Sequence, residues 1–227
     1  MKYAELFSGI GGFRNAAEHI SHDTNVKFKC IGFSEIDQYA ISTYSSNYNL
    51  NGETRMQDIT QFVEDKKQLR RMEKFDLLLG GFPCQSFSLL GKKLGLEDER
   101  GKILFSIDKL LTTKKPKFIV LENVRNIIQH DKGNTLQQIL NYFKDHKYRY
   151  VNYVILDSQN FGLPQKRARI FFVCSKKKLN IDLTESAIIE NFKNIKKHSL
   201  NTYKNVLSIL EKEVDKKYYL SEKIKHT

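Results

Sequence analysis

Cys84 stands in the stretch GGFPCQSFS, Gly80 to Ser88, between a proline and a glutamine and straight after the apolar run FDLLL. A free cysteine in such a loop either packs as a small hydrophobe or acts as a nucleophile. For the second role it must be a thiolate, and a thiol of pKa about 8.5 is only slightly ionised near neutral pH. Three further places carry groups with chemistry. Glu122 closes an apolar run in LENVRN, and Arg167 and Arg169 stand two apart in PQKRARI, a spacing that puts both on one face of a strand. The turn FSGIGGF has glycines at 9, 11 and 12, which let backbone N–H groups approach a ligand closely. Glu35 follows Gly11 by 24 residues, placed to accept from both hydroxyls of a ribose, and Asp58 in QDIT can hold an adenine amino group beside apolar Ile59. A nucleoside-bearing cofactor is the favoured ligand, and with no phosphate-binding lysine loop beside the turn an adenosyl group without phosphates is compatible with it. Each feature alone has a plain reading as a turn, a capping carboxylate or a solvated basic edge. Four such coincidences together favour a site.

The elements that must position these groups alternate in type. KYAELF, KCIGFSE, FDLLLGG and KFIVLENV read as strands, the last two continuously buried and the last entered through Pro116. Helical spacing covers Gly12 to Ile20, DQYAISTYSSNY with an Asp start, Lys102 to Thr113, and Asn134 to His146. Strands follow near Tyr150 to Leu156 and Arg169 to Cys174. Alternation of this kind predicts βαβ units and a doubly wound, mostly parallel sheet, an α/β fold whose ligands bind at the carboxyl ends of the strands.

The totals agree with one large domain and an appendage. Of 227 residues, 40% are hydrophobic and 28% charged, enough for a core. The net charge of +12 points to a polyanionic partner such as nucleic acid. Three cysteines in neither a metal-ligand spacing nor a bridge framework fit a reducing cytoplasm. No run approaches membrane-span length. After Cys174 the character changes. Residues 175–227 carry twelve Lys against seven Asp or Glu and no glycine or proline, and YKNVLSILEKEV within them has amphipathic helical spacing. The expected division is residues 1–174 as the ligand-binding domain and 175–227 as a basic helical tail.

FSGIGGF, SEIDQYA, GGFPCQSFS, ENVRN and QKRARIFFV, in that order and spacing, resemble the cytosine-5 DNA methyltransferase family of bacterial restriction–modification systems. The resemblance covers roughly residues 1–174. It implies a Rossmann-like fold dependent on S-adenosylmethionine, with Cys84 as nucleophile, Glu122 as partner acid, and Arg167 and Arg169 fixing the base carbonyl of a cytosine flipped out of duplex DNA. Phe7, Gly9, Gly11, Glu35, Asp58 and Pro83 become the implied cofactor residues. Ile36 stands where family members often carry a tryptophan that stacks on adenine. The segment after Cys84 is implied to close over the flipped base, with Gln85 ordering it and Ser86, Ser88, Lys92 and Arg100 meeting DNA.

Complete family members continue into a target-recognition domain, a Gly-Asn motif and a final segment that returns to the cofactor pocket. No glycine follows Gly162 here. The expectation is therefore a catalytic part that works with a second polypeptide carrying those segments, unless the sequence is a truncation. A tRNA cytosine-5 methyltransferase and an inactive cofactor- or nucleic-acid-binding remnant stand as alternatives.

Overall fold

The computed structural model describes residues 1–83, 99–195, 205–215 and 219. Seven strands form one sheet: β1 (Lys2–Leu6), β2 (Lys29–Ser34), β3 (Thr54–Arg55), β4 (Leu77–Gly81), β5 (Phe118–Val124), β6 (Tyr150–Asp157) and β7 (Ala168–Ser175), in spatial order β3-β2-β1-β4-β5-β7-β6. The first five pair in parallel, whereas β7 runs antiparallel between β5 and β6. Strand order reverses between β1 and β4, which opens a crevice at the carboxyl edge there.

The connecting helices are α1 (Gly12–Asp23), α2 (Gln38–Asn47), the short α3 (Ile59–Phe62) and α4 (Lys66–Arg71), α5 (Glu99–Lys114) and α6 (Asn134–Asp145). Their starts follow from local capping. The side chains of Asp37, Asp58 and Asp65 accept backbone N–H groups at the first turns of α2, α3 and α4. One sheet face carries Leu6, Leu78, Ile119, Leu121 and Phe172 against Phe62, Leu69, Ile107, Leu110 and Phe143 in the main core. The other face packs Tyr3, Leu77 and Leu79 with Ala17 of α1 and Cys30 of β2. The strands of the reversal approach so closely that a Cβ on Gly80 would lie 2.6 Å from the carbonyl oxygen of Leu6.

Two expectations change. β5 alternates buried with half-buried residues rather than being continuously buried, because its second face is only partly covered by helices. In the tail, the described residues 205–215 contain a single 3-10 turn, Val206–Ile209, and Leu210 is already extended. Val206, Leu207 and Leu210 are 51%, 77% and 58% exposed, so among the described residues the apolar stripe of YKNVLSILEKEV has no surface to bury against, and periodicity alone does not sustain a helix over Val206–Leu210. The tail's helix is instead α7 (Glu185–Ile195), whose Phe192 meets Phe161 edge to face with ring centroids 4.9 Å apart.

Candidate active site

Three left-handed residues stand close together in the turn after β1. Phe7, Gly9 and Gly11 have φ of 53°, 54° and 94°. For Phe7 this left-handed conformation is strained by about 1–2 kcal/mol, and such strain concentrates at functional sites. The Ser8 N–H donates to the Ser34 carbonyl at 3.0 Å and the Gly11 N–H to the Ser8 carbonyl at 2.9 Å, so the turn is tied to β2 and to itself. Glu35, just past β2, completes the arrangement. One carboxylate oxygen accepts from the Gly9 N–H at 2.7 Å, and the other from Ile36 and Asp37 N–H at 2.8 and 3.0 Å.

These residues fit an adenosyl ligand. Among the described residues, no atom beyond its chain neighbours lies within 4 Å of where a Cβ on Gly9 would project, which leaves a backbone cradle open there beside the Glu35 carboxylate. Ile36 is 69% exposed and offers an apolar face next to that carboxylate. Asp58 Oδ1 accepts from both the backbone N–H and the hydroxyl of Thr60, at 2.8 and 2.7 Å, and Oδ2 has no partner among the described residues. Ile59 departs from its expected place. As the first residue of α3 it is 2% exposed and packed in the main core, so its side chain does not face a ligand.

On the other side of the crevice, Gly81 of β4 is in register with Glu122 of β5, and Val124 with Arg169 of β7. Because β7 is antiparallel, its first residues lie at the same rim as the last residues of β5. There Arg169 Nε binds Glu122 Oε1 at 2.7 Å, both side chains being about three-quarters buried. Oε2 of Glu122 is left without a partner among the described residues, in room that Gly81 provides: a Cβ at 81 would sit 3.3 Å from it. Arg167 stands one residue before β7, exposed, with its backbone N–H on Asp157 Oδ1 at 3.1 Å. The two arginines thus differ in surroundings, one paired at the rim and one in solvent.

Asn123, 2% exposed, was not singled out in the sequence although it lies in ENVRN. Its Nδ2 donates to the Phe82 carbonyl at 3.0 Å, and its Oδ1 accepts from the Val124 N–H at 2.7 Å. It therefore fixes the backbone two residues before Cys84. Pro83 is exposed, the last residue described on that side. Cys84, Gln85, Ser86, Ser88 and Lys92 lie outside the described residues, and Arg100 falls in the first turn of α5. The glycine turn and the acid meet through α1, since Phe13 packs edge-on against Phe171, the β7 residue opposite Glu122, at 6.5 Å. The remaining two thiols are inert. Burial pushes Cys30 up to about 12, and Cys174 is raised further by the same cause.

Comparisons with known proteins identify the family and the fold. The family model for C-5 cytosine-specific DNA methylase matches residues 1–227. The chain is 36% identical to the type II methyltransferase M.HhaI of Haemophilus parahaemolyticus, over 95% of the chain and 59% of that protein. It is 39% identical to the type II methyltransferase M.DsaV of Dactylococcopsis salina, over 99% of the chain and 57% of that protein. It thus spans a little over half the length of these relatives. Among solved structures, a putative DNA modification methyltransferase from an Escherichia coli prophage superposes with a TM-score of 0.60 at 25% identity, covering 82% of this chain and 49% of that one. The Entamoeba histolytica methyltransferase EhMeth, at 22% identity, shares the fold with a TM-score of 0.66 over 99% of this chain and 64% of its own. Among the described residues no helix is long and apolar enough to cross a membrane. The chain belongs to the C-5 cytosine-specific DNA methylase family.

Proposed function

We propose that this chain carries the catalytic half of a DNA cytosine-5 methyltransferase. The observation that carries the reading is the rim itself: the Glu122–Arg169 pair and the Asn123-held backbone before Cys84 stand across one crevice from an open glycine cradle backed by Glu35. The family model's description as a DNA methylase supports DNA as substrate over tRNA.

Carbon 5 of cytosine is too electron-poor to attack a methyl group unaided. The Cys84 thiolate adds to carbon 6, which places the electron pair on carbon 5, and a later elimination releases the thiol after the carbon 5 proton leaves. Glu122 donates a proton to ring nitrogen 3 as the thiolate adds, and its carboxyl accepts from the exocyclic amine. Arg169 holds Glu122 in place, and with Arg167 it faces the base carbonyl. S-adenosylmethionine, when bound, supplies an electrophilic methyl on a sulfonium. Glu35 would hold its ribose hydroxyls, Asp58 its adenine amine, Ile36 the ring face, and Phe7, Gly9, Gly11 and Pro83 the rest of the cradle. The reaction needs the cytosine out of the stack, and Gln85, Ser86, Ser88, Lys92 and Arg100 are assigned to DNA around it. A second polypeptide or a further segment supplies sequence recognition, within a restriction–modification setting in the cytoplasm.

A duplex containing 5-fluorocytosine tests the reading, since its fluorine blocks elimination and leaves the adduct in place. With S-adenosylmethionine and a recognition subunit, the chain should form a denaturation-resistant complex. Cys84→Ser should abolish it, and Glu122→Gln should slow it about 100-fold or more. A full yield of complex from Cys84→Ser would overturn the assignment.

A further inference from the structure

We infer that Tyr48, braced by Arg14, is a positioning residue for the cofactor turn: it fixes the Gly11 peptide and so the conformation in which the turn meets its ligand. The inference rests on the cofactor reading above and goes beyond it, to a side chain that would not touch the ligand.

Gly11 is the N-cap residue of α1 and offers that helix no side-chain cap. Its carbonyl accepts the Asn15 N–H at 2.9 Å as the first helical bond, and also the Tyr48 hydroxyl at 3.0 Å. The Tyr48 ring lies hard against the same residue, because a Cβ on Gly11 would come within 2.3 Å of its Cε2. Among the described residues the turn is thus open at Gly9 and backed at Gly11. Glu35 holds the open end through Gly9, and Tyr48 holds the other.

Tyr48 is itself immobilised. It is the C-cap residue of α2, with its N–H on the Tyr44 carbonyl at 3.1 Å. The Arg14 guanidinium sits over its ring at 4.7 Å and over Tyr44 at 5.4 Å. That guanidinium is 93% buried and committed on every side. Nη1 binds Glu53 Oε2 at 2.8 Å and the Tyr44 hydroxyl at 3.3 Å, Nη2 the Asn49 carbonyl at 3.1 Å, and Nε the Glu18 carboxylate at 3.1 Å. An arginine so fixed holds the end of α2 and the chain after it as one block, on which Tyr48 backs the turn. With the hydroxyl gone, the Gly11 peptide is free to tilt, and a ligand must order it on binding.

Tyr48→Phe keeps the ring, the cation–π contact and the volume, and removes one neutral hydrogen bond. In the purified chain without ligand, amide hydrogen exchange of Gly9 to Phe13 should quicken several-fold. In calorimetry with S-adenosylhomocysteine, Kd should rise about 3- to 10-fold, the weight of one such bond. Ile139→Val, a core trim in α6 away from the turn, serves as the control. It should lower Tm at least as much while leaving turn exchange and Kd as in the wild type. Wild-type exchange and wild-type Kd in Tyr48→Phe would overturn the inference and leave the cofactor reading standing. If the wild-type chain binds neither S-adenosylmethionine nor S-adenosylhomocysteine, the cofactor reading fails and the inference falls with it.

Discussion

Glu5 offers a sharp test of how the centre of this sheet tolerates charge. It lies on β1, fully buried, facing α1 and α2. One carboxyl oxygen accepts the Tyr44 hydroxyl at 3.2 Å and the other has no partner among the described residues. Burial is the largest cause that pushes its pKa from 4.5 up to about 7, opposed by the Tyr44 hydrogen bond and by Arg14 and aided by Glu53. The folded chain therefore holds this proton more tightly than the unfolded chain does. The resulting stabilisation is full below pH 4.5 and is lost as pH rises through about 7. Its size is about 3 kcal/mol, or roughly 6–12 °C in Tm for a chain of this length. Glu5→Gln mimics the protonated acid and cannot titrate. Thermal melts of both proteins from pH 4.5 to 8 should nearly coincide at the acid end and diverge steadily, the variant gaining about 6–12 °C at pH 8. Titrating groups that do not interact with Glu5 cancel in that difference. Parallel curves across the range would refute the reasoning and mean that Glu5 stays ionised inside the fold.

Two further outcomes follow from the rim. Asn123→Ala removes the hydrogen bond that the Phe82 carbonyl accepts, which should cost about 0.5–1.5 kcal/mol in urea unfolding and slow covalent trapping on 5-fluorocytosine DNA about tenfold, with cofactor affinity unchanged. Ile36→Trp puts an aromatic face beside Glu35 in place of a side chain that is 69% exposed, and calorimetry should show cofactor affinity tightened about 3- to 10-fold.

The sequence made the rim legible because the strand ends carry local signals: glycine runs, a proline before the cysteine, and a carboxylate closing an apolar run. The α/β alternation was legible for the same reason, since each long element announces its own period. Three things were not. β3 is two residues long, too short for any periodicity to register. The partnership of Glu122 with Arg169 depends on β7 running antiparallel beside β5, which lies in pairing and not in local pattern. The buried cluster of Glu5, Arg14 and Glu53 was hidden by residue type, because charged side chains read as solvated until their partners are seen. The tail erred in the opposite direction. YKNVLSILEKEV has helical spacing, but a stripe becomes a helix only where something covers it, and the covered helix is α7.

The burial of Cys30 and Cys174 has a practical consequence. Both sulfurs are shielded from reagents and held as thiols far above neutral pH, so neither competes for a mild alkylating probe while the chain is folded. Fast labelling of the native protein would then report on residue 84 alone. A single-site fluorescent tag could follow that residue's environment as cofactor and DNA arrive, with no cysteine-free background to engineer first.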